Sequence, residues 1–193
     1  LKILAGRAEA TGRAEDRRSF LRCSIDLGLV HERMAEFEKA VSVYQDVLDR
    51  CRQFGEQRLE SEVLMNIGNT HWFQGDYQKA FEYQRRSLKK AKEIGDAFRQ
   101  EVALNTAGLI YWTLNDHDRA IENLQEALAT AKSLPGTNGR LEVAATHNNI
   151  GLIHRSRKQY KLALDSFNRA LAIDRILRSD WGIAYDERNI GMT

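Results

Sequence analysis

Histidine is the side chain best suited to proton transfer or zinc ligation near neutral pH, and this chain has five: His31, His71, His117, His147 and His154. Their spacing argues against a shared site. His31, His71 and His154 each stand three residues after a glycine, and Tyr111 takes the same place after Gly108. Equal places in successive repeats run along a stack and do not converge, so these rings read as core imidazoles. His147 and His154 are two helical turns apart, roughly 10 Å, too far to share a zinc whose ligands sit about 2 Å away. Cys23 and Cys51 belong to no CxxC pair and read as free structural thiols of a reducing, cytoplasmic setting. There is no Gly-rich phosphate loop, HExxH or GxSxG, and the carboxylates read as scattered over solvent faces. No catalytic residue, metal or cofactor is expected, and the chain reads as a non-enzyme.

The glycines that mark the histidines also mark the architecture. Asp26-Leu27-Gly28, Asn66-Ile67-Gly68, Thr106-Ala107-Gly108, Asn149-Ile150-Gly151 and Asn189-Ile190-Gly191 recur at steps of 40, 40, 43 and 40 residues. A fixed period of this size signals a solenoid whose units are stable only when stacked. Within a unit, Leu64, Ile67, Gly68 and His71 form one helical stripe, Gln74-Gly75-Asp76 breaks it, and Tyr77, Ala80, Phe81, Leu88 and Ala91 form a second. Asp76 suits an N-cap, and Gly95 suits the residue after a helix. The same grammar predicts helices near 18–33, 37–53, 57–74, 77–94, 97–114, 117–133, 139–157, 160–177 and 181–193. The longer step contains Leu134-Pro135-Gly136-Thr137-Asn138-Gly139, read as a lengthened turn that leaves the helices unchanged.

Ile67-Gly68, Gly75-x-Tyr77 and Ala80 resemble the tetratricopeptide repeat pattern. So do Ala107-Gly108, Tyr111, Ala120 and Ala127-Leu128, and likewise Ile150-Gly151, Tyr160, Ala163, Phe167 and Ala170-Leu171. Leu27-Gly28, Phe37, Ala40, Tyr44 and Leu48 fit in the first complete unit. The period is 40 where the family's common form has about 34, and the usual Pro after the second helix is absent; both imply a longer second helix. The resemblance implies an all-α, right-handed superhelical solenoid of antiparallel helix-turn-helix repeats. Residues 1–193 read as a single array cut from a longer protein. Its parts are 1–17 (second helix of a preceding repeat and turn), repeats 18–56, 57–96, 97–138 and 139–179, and 180–193 (first helix of a following repeat).

In this family one face of the first helices resembles the lining of a concave groove where peptides or helices dock. Counting 100° per residue from each glycine, that face takes Asn66, Asn69, Trp72 and Phe73 in one repeat and Asn105, Leu109 and Trp112 in the next. Asn148, Asn149 and Arg155 follow, then Arg188. Asn supplies both donor and acceptor, as reading a peptide backbone requires; hydrogen bonding between adjacent helices would repeat in the same way. Trp72 and Trp112 take equivalent slots and read as neighbouring binding anchors, or as cover for the groove floor. Glu32 and Asp26 at one end and Arg155 and Arg188 at the other suggest a linear ligand whose acidic segment lies towards the arginines.

The expected function is therefore a protein–protein interaction module or scaffold. The second reading is a regulatory sensor segment of a signalling protein (kinase, cyclase or transcription regulator) responding to a small ligand or peptide. The partner is a protein or peptide, another part of the parent chain included. A net charge of +2 does not favour nucleic acid or an anionic membrane. The basic run Arg85 to Lys92 reads as a solvated face of a second helix. Half-repeats at both ends predict end-to-end contacts between copies.

Overall fold

A computed structural model describes Ile3, Gly6 and residues 13–193. The expected second helix of a preceding repeat over residues 1–12 lies outside the described residues. The described chain is helical throughout, and its helices are joined by connections of two or three residues. They are α1 (Ala14–Arg33), α2 (Phe37–Phe54), α3 (Gln57–Phe73), α4 (Tyr77–Glu93), α5 (Ala97–Thr113), α6 (His117–Ser133), α7 (Gly136–Ser156), α8 (Tyr160–Leu177) and α9 (Asp180–Gly191). The fold class is the expected one: all-α, built of helix-turn-helix repeats.

Several helix ends have a local cause. Asp76 and Asp116 accept hydrogen bonds from the backbone N–H of Lys79 and Arg119, both at 3.2 Å, capping α4 and α6. Between first and second helices the chain turns through a left-handed residue seven places after each marker glycine: Ala35, Gly75, Asn115 and Lys158. The following N–H then reaches back to the carbonyl of His31, His71, Tyr111 or His154, at 2.8 to 2.9 Å.

The structure corrects one boundary. The residues of the longer step do not extend a turn; they add a turn of helix to the start of α7, which begins at Gly136. Pro135 stands at the N-cap in extended conformation, where its ring and missing N–H are harmless. Gly139 is buried against the carbonyl of Leu134, a place with no room for a Cβ.

The chain forms two compact units, Leu1–Arg99 and Gln100–Thr193. The first has a core of Phe20, Leu21, Ile25, Tyr44, Leu48 and Cys51, continuing into Leu59, Val63, Leu64 and Ile67. Ser61 and Ser87 allow α3 and α4 to approach closely: Ser87 Oγ donates to the Ser61 carbonyl at 2.8 Å. In the second unit, Ala120, Leu124, Ile150 and Ile153 pack together under Tyr111 and Trp112. In both units the marker glycine receives a side chain from the second helix of its own repeat. Tyr44 fills the notch at Gly28, Gln84 at Gly68, Leu124 at Gly108 and Phe167 at Gly151.

Candidate functional site

Helical periodicity places the candidate residues on the first helices, and the two units treat them differently. In the first unit, Phe73 ends α3 and is 56% exposed. Its ring stacks on Trp72 at 5.7 Å and on Phe37, at the start of α2, at 6.4 Å. Met34 in the intervening turn is 63% exposed. Sequence periodicity singled out Trp72 and Phe73; Phe37 joins them because the turn after α1 brings the start of α2 to the end of α3. Asn69 is half-buried and its Oδ1 accepts from Gln84 Nε2 at 2.8 Å. Asn66 is buried. Glu32 does not stand free at the surface: Thr70 Oγ1 donates to its carboxylate at 2.7 Å, joining α1 to α3, and burial raises its pKa.

In the second unit the amides bond to one another. Asn149 Nδ2 donates to Asn105 Oδ1 at 2.9 Å, linking α7 to α5, so for this pair the structure shows the bond between adjacent helices. Asn148 is buried and turned towards α9, its Nδ2 donating to Asp186 Oδ1 at 2.6 Å. Trp112 is half-buried on the core cluster, and its indole N–H points to Ser156 Oγ at 3.3 Å. Leu109 and Leu152 are half-buried on the same helices. The Arg155 guanidinium lies 5.8 Å from the centre of the Phe167 ring, and that of Arg188 lies 5.1 Å from Tyr185. Trp72 thus belongs to one unit and Trp112 to the other.

The histidines occupy packing positions. His31 Nδ1 bonds Glu36 at 2.6 Å and His154 Nδ1 bonds Gln159 at 2.8 Å, each closing its own turn. His71 stacks on Tyr83 at 5.6 Å. His147 is buried, and burial followed by the charges of Arg169 and Lys132 lowers its pKa. Both cysteines are free; Cys51 is buried and its thiol is pushed up to about 12, chiefly by burial. Among the described residues, no three His, Cys, Asp or Glu side chains are grouped to hold a metal ion. In the basic run of α4, Lys90 bonds Glu60 and Glu93, and Arg86 pairs with Glu82.

The reading of the carboxylates as solvent-facing is wrong for Asp96 of the first unit and for several acids of the second. Glu101 is 0% exposed, and Asp186 and Asp174 are also buried. Glu101 accepts from Thr146 Oγ1 at 3.2 Å; burial, then the nearby Glu142 charge, pushes its pKa up to about 8. Burial, and then the nearby Asp174 charge, raises the pKa of Asp186. One signal was available in the sequence. Glu101 lies seven residues before Gly108, two turns back along the core stripe.

These features define a class: helix-turn-helix repeats with side chains presented from successive first helices. The chain belongs to the tetratricopeptide repeat family, whose model matches residues 21–93 and 99–176. Repeats of this family generally act as protein-interaction scaffolds, and its members are typically non-enzymatic. Among solved structures, the chain resembles BtubC (BKLC) from P. vanneervenii, with a TM-score of 0.86 and 22% identity over 99% of this chain and 77% of that one. Aspartyl phosphate phosphatase F from Bacillus subtilis gives 0.81 at 11% identity, over 89% of this chain and 44% of the phosphatase. The TPR-like repeats of a putative kinesin light chain from Podosopora anserina give 0.67 at 14%, over 90% and 88%. At these identities the likeness is one of fold. No curated protein matches the chain. Among the described residues, no helix is long and apolar enough to cross a membrane.

Proposed function

We propose that this chain is a non-enzymatic, cytoplasmic protein-interaction module that takes a peptide or helical segment of a partner on its first-helix faces. The observation that carries this reading is the aromatic strip Phe37–Phe73–Trp72 of the first unit, with Phe73 exposed and Met34 exposed in the turn before Phe37. Large apolar rings left in water cost free energy that a partner recovers, and aromatic side chains dominate binding hot spots. The helical scaffold holds the strip rigid, so little conformational entropy is lost on binding. In the second unit, Asn105 and Asn149 keep hydrogen-bonding capacity beyond their mutual bond, suited to a partner's backbone. End-to-end contacts between copies belong to the same reading and would appear as concentration-dependent mass in light scattering.

The test is a random peptide display library selected on the wild-type chain, followed by calorimetric titration of the enriched peptides. Binding is expected to weaken about tenfold or more in Phe73→Ser and in Trp72→Ala, with helicity by circular dichroism unchanged for the exposed Phe73. Peptides that bind both variants as tightly as the wild type would show that the strip is not the docking surface.

A further inference from the structure

One of the buried acids of the second unit, Asp174, opens onto a cavity together with the half-buried Glu142. Between α7, the end of α8 and the start of α9 lies a space of about 200 Å³, bordered by Leu141, Glu142, Asn148, Asp174, Ser179 and Trp181. Two of these side chains are carboxylic acids, and no lysine or arginine lines the space. Asn148 is only 6% exposed; its Nδ2 is committed to Asp186 Oδ1 at 2.6 Å, which fixes the amide orientation, and its Oδ1 is buried with no donor. A buried acceptor without a donor is costly, and here it stands beside an excess of acid. Trp181 at the mouth is 78% exposed, stacked on Tyr185 at 5.3 Å, with Leu141 exposed nearby.

Among the described residues, the site has carboxylates and an undonated amide oxygen but no cation. A guanidinium supplies positive charge and donors together: five N–H groups in a flat fork, weak hydration, and a plane that stacks on indole. The acids are not grouped as metal ligands, so a planar organic cation fits better than a bare ion. We propose that this cavity binds an arginine side chain of a partner polypeptide. Its guanidinium enters between Asp174 and Asn148 Oδ1, and the Trp181 indole covers it. Gly182 makes the seat possible, since its backbone lies against the Asp174 carboxylate where no Cβ could stand. Arg175 and Glu187, outside the lining of the space, pair with each other at 3.1 Å. The inference stands apart from the aromatic strip of the first unit, and its failure leaves that reading intact.

The experiment is titration calorimetry of the whole chain with the capped peptide Ala-Ala-Arg-Ala-Ala, beside its lysine and citrulline counterparts and free arginine. The arginine peptide is expected to bind about tenfold or more tightly than the citrulline peptide, which keeps the shape and loses the charge. Asp174→Asn is expected to lose about tenfold, and Trp181→Ala about threefold to fivefold. Trp181 is exposed enough that its loss leaves the fold in place. Asp180→Asn, an exposed acid beside the site, should change nothing. Equal binding of the citrulline peptide, or undiminished binding by both Asp174→Asn and Trp181→Ala, overturns the site. Equal binding of the lysine peptide overturns the guanidinium assignment, and tighter binding of free arginine overturns the polypeptide source.

Discussion

The two units share one helix grammar and resolve buried acidity in opposite ways. In the first, Asp96 caps α5 and is buried between cations: Arg58 Nε lies 3.0 Å away and Arg99 Nη1 2.8 Å. Burial pushes its pKa up, but the Arg99 N–H and the two guanidiniums pull harder, and the net shift is downward. Arg99 also reaches Glu62 at 2.6 Å, tying α3 to the start of α5. In the second unit the buried acids face acids and neutral partners: Glu101 with Glu142 and Thr146, Asp186 with Asp174 and Asn148. A carboxylate beside arginine stays charged, and one beside another carboxyl keeps its proton. The same repeat therefore carries opposite pH dependences in its two parts.

Glu101 sets the largest difference. Its pKa rises from an ordinary 4.5 to about 8 on folding, so the folded state binds the proton more tightly than the unfolded chain. That stabilisation is fully present below pH 4.5 and is lost as pH rises towards 8. Urea unfolding should therefore show a chain less stable at pH 8 than at pH 5.5. Glu101→Gln, uncharged at both values, should recover on the order of 3 kcal/mol more at pH 8 than at pH 5.5. A variant with the same pH slope as the wild type would remove Glu101 from the account.

Asp96 should respond with the reverse sign. Its folded pKa is depressed, so its contribution is present above the ordinary value of 3.8 and disappears as pH falls through the folded one. Asp96→Asn keeps the size of the side chain but strips Arg58 and Arg99 of their counter-charge. The expected cost is about 2 kcal/mol at pH 7, shrinking towards zero in strong acid, where the wild type is protonated too. Hydrogen exchange of the α3 and α4 amides would locate the loss. A cost that persists undiminished at pH 2 would mean that Asp96 acts through packing alone.

That contrast was only partly legible in the sequence. The glycine interval located nearly every helix and the stripe of Leu64, Ile67 and His71 because a helical period is local. The start of α7 escaped because Pro135-Gly136 reads equally as a turn and as a helix N-terminus. Asn105 and Asn149 were placed on the right helices, but their mutual bond depends on how far one helix slides along the next, and no single-helix period contains that register. Asp186 and Asp174 escaped for the same reason: each is an ordinary polar residue until α9 folds back on α8. Glu101 was the exception, standing on the apolar stripe in plain view.

Where the units agree, the effects should be small and equal. Ala35 turns the chain after α1 with φ +57°, and Lys158 does the same after α7 with φ +58°. A side chain with a Cβ pays about 1 kcal/mol or more for that left-handed conformation, while glycine, present at the equivalent Gly75, adopts it freely. Glycine also gains entropy in the unfolded chain, which offsets part of the relief. Ala35→Gly and Lys158→Gly should therefore each stabilise by about 0.5 kcal/mol, with the same gain in either unit and no dependence on pH between 5.5 and 8. A gain in one unit only would mean that the turns, like the acids, are built differently in the two halves of the molecule.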